Sequence, residues 1–254
     1  MRLFLAIASG GFCLTTGVIR GQVAPEPIND IVVAQLKEMP SGGKYSASTT
    51  ATNRLRSAAQ LQAGKFLIEP ERAMPSYCSG ATYLVFLKTI EVLRGRGLLR
   101  LDDATLAQLR IRGQRDGEGI WGRWNANGPG TARLFFELGL GPNFDDFARA
   151  QAGDFMKIFW TQEVGRAEHG HSVVFLGTET HDGVDYVRFW SSNIPLGYGE
   201  KIVPRSRIAH AIFSRLETPA HLEKIADVPR LDPYLSSLER VRSSYAEARA
   251  MCGM

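Results

Sequence analysis

Three cysteines, five histidines and no block of lysine and arginine are the first constraints set by this 254-residue chain. Three cysteines are too few for the disulfide framework that holds a small exported domain together. Without a basic block the usual electrostatic footprint of a nucleic-acid binder is missing. There is no Gly-Lys-Ser/Thr motif, so a P-loop is excluded. No internal repeat and no long low-complexity tract occur, which argues against a solenoid and against wholesale disorder. What is present is ordinary globular material: 44% hydrophobic and 22% charged residues, enough for one sizeable core.

The one long apolar run lies at the start. After Arg2, residues 3–19 (LFLAIASGGFCLTTGVI) carry no charge, and the polar stretch GQVAPEP follows. Residues 1–21 read as a secretory signal peptide. The competing reading, a membrane anchor, needs a longer run than one interrupted by Gly10, Gly11 and Gly17. No clean A-x-A precedes Gln22, which leaves the cleavage site open, and Gly-Gly-Phe before Cys13 matches a lipoprotein site poorly. The expectation is export to the periplasm or exterior, with no stable membrane span after signal removal. Loss of Arg2 and Arg20 would take two charges from the net +4. Cys78 and Cys252 then remain, either as one disulfide or as one reactive thiol and one incidental one.

Residues 22–51 form a Pro-, Ser- and Thr-rich N-terminal arm around an apolar patch at 28–36, with room for a short helix. Residues 52–63 are helix-compatible and Gly64 ends them. Pro70 and Pro75 place a loop before Cys78. From Ser79 the sequence is apolar nearly all round until Gly95 and Gly97, the pattern of a buried helix. Asp102 or Asp103 can cap the next one. Residues 113–130 (GQRDGEGIWGRWNANGPG) read as a long ordered surface loop, and Thr131 opens a further helix. Beyond Pro142 the runs at 155–160, 172–178 and 184–190 are β-rich, with shorter ones at 201–203 and 211–213. Asp182-Gly183 between two of them signals a hairpin. Residues 216–254 read as a helical tail. Helices followed by an antiparallel sheet give an α+β single domain over residues 52–215.

Cys78 stands directly before the buried helix. There its sulfur meets unpaired N–H groups and the positive end of the helix dipole, which favour thiolate. Ser79 and the small residues after it let a carbonyl approach the backbone, and the Cys78 amide can donate to a developing oxyanion. The bland alternative is a buried structural cysteine. A thiolate needs a base, and His171 opens a strand whose edge can face a helix N-terminus. If residues 181–183 form a three-residue hairpin loop, Asn193 falls opposite His171 and can orient its imidazole, the role of the third group in a triad. If Asp182-Gly183 form a two-residue turn, Ile194 falls opposite and Ser192 shares its face. Asn193 is favoured, with Ser192 second.

The string SYCSGATY resembles the nucleophile motif of NlpC-type peptidoglycan peptidases, in which Cys-Ser-Gly opens the central helix. AGDFMKIFW resembles the Gly-Asp approach to their first core strand, and GHSVVFLG their second, which starts with the base histidine. The resemblance spans roughly residues 52–215 and extends to CHAP-type and other papain-like amidases. It implies a papain-like core, with a central N-terminal helix packed on an antiparallel sheet. It also implies cleavage of amide bonds in peptidoglycan stem peptides, with Cys78 as nucleophile and His171 as base. Two departures stand out: Tyr77 replaces the acidic residue often found before the cysteine, and the Cys78 to His171 interval is longer than in the compact family core. Asn193 takes the third position, which is not a plain match.

Further residues carry two readings each. Trp121 and Trp124, with Asn125 and Asn127, either contact substrate or pack the loop onto the core. Tyr77 is a candidate second oxyanion contributor and substrate contact. His169-x-His171 with His181 invites a metal, but no further ligand cluster accompanies them, so no metal and no cofactor are expected. Asp154 suits a turn before its strand better than acid chemistry. The expected partner is peptidoglycan or another peptide, and oligomeric state is open. Two other functions fit the same fold: a non-catalytic wall-binding protein, and a thiol acyltransferase.

Overall fold

The computed structural model describes residues 26–254, so the signal-peptide expectation over 1–21, and Cys13 with it, lies outside the described residues. The chain begins with helix α1 (Ile28–Lys37), a two-residue strand β1 (Gly42–Gly43) and helix α2 (Thr49–Ala58), whose Ser48 side chain accepts from Ala51 N. The segment expected as an arm is thus built into the molecule, since β1 pairs with the main sheet. A hairpin of β2 (Ala59–Gln62) and β3 (Lys65–Ile68) replaces the second half of the expected helix at 52–63.

Helix α3 (Cys78–Gly95) is the longest. Tyr77 holds the N-cap in extended backbone, and Gly97, at φ 71°, closes the far end. There the Leu98 N–H reaches Leu93 O and the Gly97 N–H reaches Arg94 O, the paired bonds of a Schellman stop. Leu84, Val85, Phe86, Leu87 and Ile90 are fully buried, each contributing roughly 1.5–3 kcal/mol. Helices α4 (Asp103–Gln108), α5 (Gly119–Asn125) and α6 (Gly130–Leu138) follow. Helix α5 lies where a surface loop was expected. Its glycines admit close packing: a Cβ on Gly122 would stand 2.2 Å from Arg115 O.

The β-rich half supplies β4 (Asn143–Phe144), β5 (Phe155–Phe159), β6 (Val164–Gly165), β7 (Gly170–His181), β8 (Val184–Asn193), β9 (Gly197–Pro204) and β10 (His210–Ser214). Among the described residues the pairings between these strands are antiparallel, and seven strands form one sheet in the order β1-β9-β8-β7-β5-β10-β4. The fold is therefore α+β with an antiparallel sheet, as expected. Helix α3 packs across β7 and β8. Strand alternation sends Phe155, Val174 and Trp190 to the helix side, and Met156, Val173 and Phe189 to a second core on the other face.

The tail is not simply helical. It comprises a 3₁₀ segment (Pro219–Asp227), α7 (Pro233–Ser237), a short strand β11 (Arg242–Ser243) paired with β6, and α8 (Tyr245–Met251). Buried Asp232 caps α7 and takes an ion pair from Arg133 at 2.7 Å, tying the tail to α6.

Asp154 is fully buried at the start of β5. It accepts from Asn29 Nδ2, Gln151 N and Arg215 Nε and Nη2, each at 2.8 Å. The Gly-Asp motif thus serves as a junction between α1, β5 and the end of β10.

Candidate active site

The hairpin turn is the two-residue form: His181 pairs Val184, with Asp182 and Gly183 both at positive φ, 51° and 76°. Continued without interruption, that register would place Ile194 opposite His171. A β-bulge at Leu176 adds one residue to β7, so that Gly177 pairs Arg188 but Phe175 pairs Phe189. The bulge restores the register expected from a three-residue loop. His171 Nε2 lies 3.1 Å from Asn193 Oδ1. Ser192 points elsewhere, donating to Ser76 O at 2.9 Å.

Asn193 is oriented by its own bonds. Its Nδ2 donates to Ser191 O (3.2 Å) and Gly199 O (2.8 Å), so Oδ1 must be the atom facing the imidazole. An acceptor there requires the proton on Nε2, which leaves Nδ1 as the ring nitrogen able to receive a proton from Cys78. The ring lies over Trp160 (centroids 6.2 Å apart) and against Phe189 (5.7 Å).

Cys78 is the first residue of α3. Ala81 N takes the first helical bond, to Tyr77 O, and the Tyr77 side chain makes no cap. The N–H groups of Cys78, Ser79 and Gly80 therefore have no helical partner. The first turn is locked below: Thr82 Oγ1 donates to the Cys78 and Ser79 carbonyls, 3.2 Å each, and accepts from Trp124 Nε1. Burial opposes ionisation of the Cys78 thiol. The hydrogen bond and charge of His171, a bond from the Ser172 backbone and the charge of Lys157 outweigh it, lowering its pKa from 9.0 to about 6. Cys252 is the contrast: it is 1% exposed, and burial pushes its thiol up to about 12. Both cysteines are free, so the disulfide alternative is set aside.

Tyr45 is the site residue that the sequence did not reveal. It lines the cavity beside Cys78, and burial and the nearby Cys78 raise its pKa. Delivery is by backbone: Gly42, Gly43 and Lys44 all have positive φ, and Lys44 at 64° is a non-glycine in a costly conformation. A Cβ on Gly43 would meet Met74 Sδ at 2.2 Å, so glycine is required there. Ser46 N then donates to Ser76 O and Ser76 N to Lys44 O, zipping the segment to the residues just before α3. The sole local signal, Gly-Gly before Lys-Tyr, does not point to a thiol thirty-odd residues on. Tyr77, the expected second contributor, directs its hydroxyl to Thr52 Oγ1 at 3.3 Å, although its side chain still lines the cleft. Tyr45→Phe should keep the fold and lower kcat about 10²-fold if the hydroxyl meets a developing charge; steady-state kinetics with a circular dichroism control checks it.

Ser79 borders the cleft and donates to Asn125 Oδ1 at 2.7 Å. Trp121 and Trp124 correct the expectation of substrate contact. Both are 1% exposed and pack at an angle against Tyr83, and Trp124 also meets Phe86 and Phe155, so they form the floor beneath α3 and neither lines the cleft. His169 is exposed on the cleft, whereas His181 sits at the far end of β7, about 33 Å along a strand from His171. Among the described residues no group of three or more His, Cys, Asp or Glu is placed to hold a metal, and no helix is long and apolar enough to cross a membrane.

The cleft extends both ways from the dyad. Cys78, Asp116, Lys157 and Glu239 line a cavity of about 370 Å³ on one side; His171, Trp160, Lys201 and Arg207 line one of about 500 Å³ on the other. Tyr45, Glu168 and Gly170 border both. No protein-family model, curated protein sequence or solved structure matches this chain.

Proposed function

We propose that this chain is an exported cysteine hydrolase of papain-like, NlpC-related type that cleaves amide bonds in peptidoglycan stem peptides. The observation that carries the reading is the line Cys78, His171, Asn193: a thiol at a helix N-terminus, lowered to about 6 against burial chiefly by the neighbouring His171, whose Nε2 is held by an oriented amide. His171 takes the thiol proton of Cys78, or pairs with the thiolate as an ion pair, which gives the attacking sulfur. The sulfur attacks the scissile carbonyl carbon, and the negative charge passes to the carbonyl oxygen. The free N–H groups at the start of α3 and the Tyr45 hydroxyl are donors for that oxygen. His171 gives its proton to the departing amine as the C–N bond breaks, leaving a thioester on Cys78. Water, deprotonated by neutral His171, hydrolyses the thioester and restores the pair. Asn193 keeps the imidazole in the tautomer that both steps use.

Peptidoglycan as substrate is supported by the Cys-Ser-Gly, Gly-Asp and Gly-His-Ser motifs, and export by the uncharged run at 3–19 after Arg2. The polar character of the cavity beside Cys78, with Asp116, Asn125, Asn127 and Lys157 on its wall, suits a peptide better than the acyl chain of a lipid transferase. Incubation of purified peptidoglycan with the unaltered chain and with Cys78→Ala, followed by chromatography of the released fragments, is the test. New amino termini should appear with the unaltered chain alone; equal product from both proteins overturns the assignment.

A further inference from the structure

The two arms of the cleft carry opposite charge. On the Cys78 side, Asp116 and Glu239 are carboxylates outside any ion pair among the described residues. Burial and the charge of exposed Glu239 raise the Asp116 pKa, against the Asn127 N–H, the Asn125 side chain and the charge of Lys157, the one cation on this side, which is itself paired with Glu168. On the His171 side the balance reverses. Lys201 and Arg207 face that cavity, both exposed and both outside any ion pair among the described residues. Its one carboxylate, Glu168, is already occupied: Lys157 Nζ lies 2.7 Å from Oε1, and Oε2 accepts from Gly128 N at 2.6 Å and Gly165 N at 2.8 Å. No free acid therefore offsets the two cations.

The chemistry of the dyad gives these arms a direction. The acyl part of a substrate remains on Cys78, whereas the leaving amine must take its proton from His171 and so departs through the cavity that His171 lines. Building on the proposed hydrolase reading, we infer that the arm beyond His171 is a subsite for an anionic leaving portion, with Lys201 and Arg207 receiving a carboxylate carried one or two residues beyond the scissile bond. A carboxylate turned the other way would meet Asp116 and Glu239. Like charge on that side disfavours the reversed substrate, and opposite charge favours the forward one. The cations are exposed, so salt weakens the preference.

Binding without turnover tests this. The Cys78→Ala chain is titrated at low ionic strength with N-acetyl-alanyl-alanine as free acid and, separately, as its C-terminal amide, with affinity read from chemical-shift changes. The free acid should bind at least fivefold more tightly. In Cys78→Ala carrying Lys201→Gln and Arg207→Gln the two ligands should agree within twofold. Asp116→Asn should leave the preference intact, and 0.5 M salt should shrink it. Equal binding of both peptides, binding of neither, or a preference that survives loss of Lys201 and Arg207 overturns the subsite. Because no bond is cut, the result is independent of whether peptidoglycan is hydrolysed: a chain that cleaves nothing can still show the preference, and an active one can lack it.

Discussion

Alkylation of Cys78 by iodoacetamide rises with a midpoint near pH 6 in the unaltered chain, and His171→Ala moves that midpoint up, by as much as about three units. The sign follows from what His171 supplies. Burial opposes the thiolate, and the hydrogen bond and charge of His171 are the largest of the effects that outweigh it; without them burial is opposed only by the Ser172 backbone and Lys157, and the thiol moves back toward 9.0. At the full three units the thiolate fraction at pH 6 falls from one half to about one in a thousand, a loss of up to roughly 500-fold. The loss in rate is smaller, because a more basic thiolate is a better nucleophile. With a Brønsted coefficient of about 0.45, three units restore roughly twentyfold, leaving a net drop of about twentyfold at pH 6. Above pH 10 the order reverses and the variant reacts faster. Stopped-flow rates across pH 4 to 10.5 decide it; a midpoint near 9 in the unaltered chain would leave Cys78 an ordinary thiol and favour the non-catalytic wall-binding alternative.

Trp124→Ala should lower stability by about 3–5 kcal/mol, or roughly 10–15 °C in melting temperature for a chain of this size. The indole touches Tyr83, Phe86, Phe135 and Phe155, with ring centroids 4.9 to 6.4 Å away. Truncation leaves a cavity among side chains that cannot close on it, and frees Thr82 Oγ1 from its donor under the first turn of α3. A wall residue would behave differently, raising KM at an unchanged melting temperature. Thermal unfolding by circular dichroism, paired with kinetics at 20 °C, separates the two.

The difference between those tryptophan readings shows where sequence pattern runs out. Gly119, Gly122, Gly128 and Gly130 make residues 113–130 look like a loop, because glycine is read as freedom. In the structure Gly122 and Gly130 have Cβ positions 2.2 and 2.3 Å from backbone carbonyls, so these glycines mark close packing of a buried helix. Local periodicity cannot tell the two uses apart. The strands were legible because alternation and Asp-Gly are local signals, and helix α3 because its apolar run is long. Asn193 was reached through a turn that does not exist: the loop is one residue shorter than required, and the bulge at Leu176 makes up the difference. Nothing in Phe-Leu-Gly announces a bulge, and Gly177, at φ 147°, becomes informative only beside its partner strand. Tyr45 and the tail were illegible for one shared reason. Both are placed by contacts with remote segments, Ser76 and β9 in one case, Arg133 and β6 in the other.

The buried Cys252 gives the described part of the molecule a second clock. Its thiol is walled off near the C-terminus at a pKa of about 12, while Cys78 lies open to the cleft at about 6. A small alkylating reagent at neutral pH therefore marks Cys78 at the speed of site chemistry and Cys252 only when the C-terminal packing opens. Mass spectrometry of one sample over time can read both: the early mark counts competent sites, and the late one counts openings of the core. A variant that has lost its chemistry alone changes the first rate, and one that has lost its fold changes the second.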